Sequence, residues 1–179
     1  MSGLTWFWPG LVVAVIVGVV LAAPLGRSLR TRQVLAWLLV ASIGLIVAAT
    51  LTPIHGPAGI DTTQSRPCDL ERRAFALLAE MTSITDVSLN IALFIPLGLS
   101  IAWLPRSRTT IAIVALAIVL PFVVEGIQFL VPALARGCQS GDVIDNLTGL
   151  VLGLAFGTLI RLVVSIIRGR PNGTSSTPA

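Results

Sequence analysis

Apolar residues run along the chain in five long stretches separated by polar connections: roughly Trp6 to Leu25, Val34 to Thr52, Val87 to Leu104, Ile111 to Val131, and Val143 to Ile167. Each is close to the ~20 residues an α-helix needs to cross the hydrocarbon core of a bilayer. Lipid cannot satisfy the backbone groups of an open strand, so the pattern predicts an all-α, polytopic membrane bundle of five transmembrane helices. The first stretch carries a small-residue pattern at Val20-Leu21-Ala22, as a secretory signal does. It lacks a basic N-terminal region and its apolar run is too long, so it reads as a retained helix. Between the second and third stretches, Asp69 to Met81 has acids in its first turn and Leu70, Ala74, Leu77, Leu78 and Met81 on one face. That spacing predicts a short extracytoplasmic amphipathic helix lying along the outer membrane surface. The chain then divides into two N-terminal transmembrane helices (1–53), an extracytoplasmic connection (54–85), a core of three transmembrane helices (86–168) and a disordered cytoplasmic tail (169–179) rich in Gly, Pro, Ser and Thr.

Composition agrees with that pattern. Of the 179 residues 55% are hydrophobic and only 11% are charged, with mean hydropathy +0.94, which excludes a soluble globule. The net charge is +4 and all twelve basic residues are Arg. A basic balance can mark a nucleic-acid binder, but these arginines sit in short loops with no aromatic interleaving, so no nucleic-acid partner is expected. They act instead as topology signals. Arg27, Arg30 and Arg32 fall in the first connection, Arg106 and Arg108 in the third, and Arg161, Arg168 and Arg170 at the end of the last helix and in the tail; no acid occurs in any of those segments. The predicted orientation has the N-terminus outside and the C-terminus in the cytoplasm.

Both cysteines, Cys68 and Cys138, fall in the outside connections, where an oxidising compartment would allow a disulfide; the alternative is two unrelated thiols. With no His beside them they do not make a zinc site. The chain's one histidine, His55, lies just past the second stretch and reads as a solvated loop residue. No Gly-rich phosphate loop, HExxH or G-x-S-x-G occurs, and no cofactor is expected.

The polar residues inside the apolar stretches form a constellation. Asp86-Val87-Ser88-Leu89-Asn90 opens the third stretch and Asp142-Val143-Ile144-Asp145-Asn146 opens the fifth, both reading D-V-x-x-N. Each Asp falls at a helix N-terminus, where a carboxylate is favoured, and each Asn lies about 6 Å deeper on the same stripe. The fourth stretch runs outward and carries Glu125 and Gln128, three apart on one face. A carboxylate at that depth should face the bundle, with Arg136 as its nearest candidate partner. Asp86 and Asp142 also serve as plain helix caps, and Asn90 and Asn146 as interhelical glue, under a purely structural reading. The functional reading is a polar pocket in the outer leaflet, formed by the last three helices.

At these residues the sequence resembles the VanZ-like family of bacterial membrane proteins. Three ordered blocks carry the resemblance, from about Asp86 to Gly157: Asp86-x3-Asn90-x3-Phe94-x-Pro96-x-Gly98, Glu125-x2-Gln128, and Arg136-x5-Asp142-x3-Asn146-x2-Gly149-x3-Gly153. Cys138 stands where many relatives would carry an apolar or aromatic residue, a departure that favours an added disulfide here. The resemblance implies a bacterial plasma membrane location, and the founding member's association with teicoplanin resistance implies a link to lipoglycopeptides. Two functions from different classes follow. In the first, a non-enzymatic protein of the cell envelope binds an amphiphile, either a lipoglycopeptide antibiotic or a lipid-linked wall precursor, through Asp86, Asn90, Glu125, Gln128, Arg136, Asp142 and Asn146, with membrane lipids around it. In the second, a membrane-embedded enzyme acts on an envelope lipid with Glu125 as general acid or base, Arg136 stabilising developing charge, and Asp142 available to a divalent metal. The sequence leaves the oligomeric state open.

Overall fold

A computed structural model describes residues 6–53, 68–72, 85–134 and 136–168. The five apolar stretches become five α-helices: α1 (Phe7–Ser28), α2 (Gln33–Thr50), α3 (Asp86–Ala102), α4 (Arg108–Leu130) and α5 (Ser140–Arg168), with a 3-10 turn at Pro132–Leu134 before α5. Among the described residues there is no strand. His55 and the tail from 169 to 179 lie outside those residues.

Local chemistry sets the helix ends. Thr85 caps α3 in a reciprocal box, its hydroxyl accepting from the Ser88 N–H while the Ser88 hydroxyl accepts from the Thr85 N–H. Asp86 is therefore the first residue inside the helix and not its cap. Ser107 caps α4 by accepting from the Thr110 N–H, so α4 starts three residues before the apolar run does. Asp142 likewise lies within the first turn of α5, which begins at Ser140.

Four helices, α1, α2, α4 and α5, are long and apolar enough to cross a membrane. The 17-residue α3 is shorter, about 26 Å at 1.5 Å per residue against a hydrocarbon core of about 30 Å. It is also enclosed: Phe94, Leu97 and Ile101 are almost fully buried and share the core with Leu39 and Ile46 of α2, Ala117 and Val124 of α4, and Leu150 of α5. In contrast, α1 packs mainly on α2 among the described residues and leaves Val12, Val13, Ile16, Val19 and Val20 exposed, as a lipid-facing helix would.

The tightest pairing joins α3 to α5. A Cβ at Gly149 would strike the Ile91 carbonyl, one at Gly153 the Ile95 carbonyl, and one at Gly157 would lie 3.2 Å from the Leu99 carbonyl. The partners advance four residues at a time on both helices, so the two run parallel and in register, with backbones close because these positions lack side chains. Their N-termini therefore share one end of the bundle. Running the opposite way, α4 brings its own C-terminus to that same end.

Candidate functional site

The site begins with a strap, residues 68–72, laid across the entrance of α5. Cys68 and Cys138 form a disulfide with their Cα atoms 4.6 Å apart, joining the second connection to the fourth. Beside it the Asp69 N–H donates to the Cys138 carbonyl and the Ser140 N–H donates to the Asp69 carbonyl, each at 2.9 Å. The Ser140 hydroxyl donates to the Arg72 carbonyl at 2.6 Å. Residues 69–72 are therefore not the first turn of an amphipathic helix, as their pattern suggested, because Asp69 has its backbone paired with another segment. The remainder of that expected helix, residues 73–81, lies outside the described residues.

The strap delivers Arg72. Its Nη1 and Nη2 donate to Asp145 Oδ2 and Oδ1 at 2.8 and 3.0 Å, a two-pronged ion pair whose carboxylate side chain is 1% exposed and whose guanidinium side chain is 32% exposed. One turn above Asp145, a Cβ at Gly141 would crowd Arg72 Cδ at 3.2 Å. The bare backbone there leaves room for the arginine to reach down.

From the other side α4 supplies Glu125 and Gln128, both buried. Glu125 Oε2 accepts from the Gln139 N–H at 2.8 Å, which sets a carboxylate at the N-terminal end of α5, where unpaired N–H groups and the helix dipole favour an anion. Gln128 Nε2 donates to the Thr50 carbonyl at 3.0 Å. Arg136 Nη2 donates to the Ala49 carbonyl at 2.6 Å and Nε to the Thr52 carbonyl at 3.4 Å. Gln128 and Arg136 thus close the C-terminus of α2, whose last carbonyls have no partner within the helix. Arg136 makes no ion pair with Glu125; its hydrogen bonds go to the end of α2 and to Thr52 just beyond it.

Charge still couples these groups. Asp142, half-buried, feels Asp145, Asp86, Arg136 and Arg72, and Glu125 feels Asp142 and Arg136. Burial pushes the Arg136 guanidinium below its usual range, while Asp142 and Glu125 act to hold it up. Four carboxylates, those of Asp86, Glu125, Asp142 and Asp145, therefore share a neighbourhood with two guanidiniums, and both guanidiniums already have acceptors. Two buried amide oxygens, Gln128 Oε1 and Asn146 Oδ1, have no hydrogen-bond partner among the described residues. Asn90 is half-buried on α3, and no hydrogen bond among the described residues ties it to the others. The described residues bring no three His, Cys, Asp or Glu side chains together at metal-binding spacing.

Sequence reasoning missed Asp145, Arg72 and the carbonyls that end α2. One signal pointed to Asp145: it shares a stripe at four-residue spacing with Gly141, Gly149, Gly153 and Gly157, so it sits on the face that packs most tightly and needs a buried partner. Nothing local distinguishes Arg72 from Arg66 or Arg73.

The model of the VanZ/LLP1 family matches residues 11–161. That span takes in all but the first turn of α1, the whole polar constellation and most of α5, and it extends well upstream of the three motif blocks. No curated protein and no solved structure matches the chain. With the family model covering most of its length, the chain belongs to the VanZ/LLP1 family.

Proposed function

We propose that this protein is a binding protein of the bacterial plasma membrane, with its N-terminus outside and its C-terminus in the cytoplasm. Its ligand is an amphiphile whose head group is held at the outer end of the bundle and whose tail lies in lipid. The orientation rests on the arginine distribution. The observation that carries the reading is the pair of buried amide oxygens that have no donor among the described residues, Gln128 Oε1 and Asn146 Oδ1. A buried acceptor left unmade costs about 1–3 kcal/mol, and a ligand N–H or O–H relieves that cost. Four carboxylates nearby, against guanidiniums that are already engaged, favour a head group rich in donors over an anionic one. A teicoplanin-type lipoglycopeptide, with amine, amide and sugar hydroxyl donors and an acyl chain, fits this chemistry. A lipid-linked wall precursor fits through its sugar and peptide donors, while its phosphates find no unengaged arginine among the described residues at this end of the bundle, where Arg72 and Arg136 are both engaged.

The test is binding of teicoplanin to protein held in nanodiscs, comparing wild type with Asn146→Leu. Removing the acceptor is expected to weaken binding about tenfold, the equivalent of about 1.4 kcal/mol, and to leave thermal stability unchanged or raised, because an unmet buried acceptor is gone. Loss of stability with unchanged binding would make Asn146 interhelical glue and remove the reading.

An enzymatic reading is favoured by one feature, the buried Glu125 carboxylate held by the Gln139 N–H, a candidate acid or base away from bulk water. Glu125→Gln separates the two. Turnover of an envelope lipid lost with binding kept supports catalysis; binding lost in step with phenotype supports the receptor.

A further inference from the structure

At the opposite end of the bundle, the turn after α1, the start of α2 and the ends of α3 and α5 enclose a cleft of about 950 Å³. Its rim carries Arg30, Arg32, Arg161 and Arg168. The turn that presents the first two is a helix-ending loop in which the Thr31 N–H donates to the Gly26 carbonyl and the Arg30 N–H to the Arg27 carbonyl. Arg30 accordingly takes a left-handed backbone, φ 51°, in the position such loops usually give to glycine. Arg161 Nη1 donates to the carbonyls of Ala102 and Leu104 at 3.1 and 2.9 Å, closing the end of α3. Arg30, Arg32 and Arg168 are exposed and pair with no acid among the described residues. The sequence supplies no acid here either: residues 1–60, 87–124 and 146–179 contain no Asp or Glu. The wall of the cleft is apolar, formed by Leu35 and Leu38 of α2 with Leu99 and Trp103 at the end of α3.

We propose that this cleft binds an anionic phospholipid, its phosphate held by the rim arginines and an acyl chain lying along Leu38, Leu99 and Trp103. Guanidinium forks match phosphate oxygens in geometry and charge. Uncompensated arginines at a membrane surface attract the anionic lipids of the cytoplasmic leaflet, and this end is the cytoplasmic one in the orientation proposed above. The occupant is a lipid and not free phosphate because the wall is continuous with exposed apolar surface: Leu38 and Trp103 keep about two-fifths of their area uncovered, 41% and 39%. An inorganic ion would leave that wall bare. The cleft and the outer constellation sit at opposite ends of α2, α3 and α5, so either assignment stands if the other fails.

Native mass spectrometry of the purified protein, titrated with phosphatidylglycerol or phosphatidylcholine, tests the proposal and does not depend on orientation. Phosphatidylglycerol should be retained about tenfold better than phosphatidylcholine, and the Arg32→Ala, Arg168→Ala double variant should lose most of that preference. Both side chains are exposed, so folding is not at stake. Leu38→Trp, which fills the cleft and keeps every arginine, should also lower phosphatidylglycerol retention, whereas Asn146→Leu at the outer end should not. Equal retention of the two lipids, or full retention by both cleft variants, overturns the proposal. So does displacement of phosphatidylglycerol by millimolar inorganic phosphate, which would identify a free-anion site.

Discussion

Arg72 and Asp145 lie 73 residues apart in the chain and form the ion pair that pins the strap to α5. Removing one member of a buried ion pair costs about 3–5 kcal/mol, less here because a third of the Arg72 side chain meets solvent. Arg72→Ala is therefore expected to lower stability by about 2–3 kcal/mol, read as a fall in the unfolding midpoint in detergent. The Arg72→Met, Asp145→Leu double variant should recover most of that loss, since two apolar side chains leave no buried charge behind. Equal losses in the single and double variants would mean that the ion pair is not what the strap depends on. That Glu125 would be buried against protein was legible because a lone carboxylate in an apolar stretch cannot face lipid cheaply. Arg136 was legible as a nearby cation, but its contacts were not: the carbonyls it meets belong to the end of α2 and the residues just after it, more than eighty residues away, and a backbone carbonyl looks the same at every position of a sequence.

Between elements, the α3–α5 contact depends on bare backbone. A Cβ at Gly153 would strike the Ile95 carbonyl and press on Gly98 Cα and Leu99 N at 3.0 Å, whereas one at Gly126 on α4 would meet nothing within 4 Å. Gly153→Ala should cost about 2 kcal/mol, because backbone on the facing helix cannot yield as a side chain does. Gly126→Ala, a helix-interior glycine with open space, should be neutral or stabilise by up to about 1 kcal/mol. Matched behaviour of the two in thermal unfolding would overturn the packing argument. The Cys68–Cys138 disulfide acts at this scale as well. It closes a separation of 70 residues, for which chain entropy alone sets a ceiling of about 4 kcal/mol. Reductant is expected to lower the unfolding midpoint of the wild type and to leave a Cys68→Ser, Cys138→Ser variant unaffected. The amphipathic pattern from Asp69 was misleading in its first turn for a related reason: periodicity reports which face is apolar, while the pairing of Asp69 with Cys138 and Ser140 is a long-range event.

At the scale of the molecule, the orientation can be read with single thiols, because the two native cysteines are joined to each other. Ser107→Cys, between α3 and α4, should react with an impermeant maleimide only after the cells are permeabilised, and Ala133→Cys, between α4 and α5, should react in intact cells. The reverse pattern would invert the orientation and move the polar constellation to the cytoplasmic side. Hydropathy and charge are properties of a segment taken by itself, summed over each helix, and so the sequence alone determined the helices, the acid-free segments that carry eight of the twelve arginines, and the end of the bundle where polar groups collect. The meeting of particular side chains was decided only by the tertiary structure. The rotation and register of α3 against α5 come from glycine backbone contacts, the placement of the strap brings Arg72 to Asp145, the fold brings Gln128 and Arg136 to the end of α2, and among the described residues two buried amide oxygens are left without donors. Those outcomes turn on ångström-scale offsets between segments that no local pattern encodes.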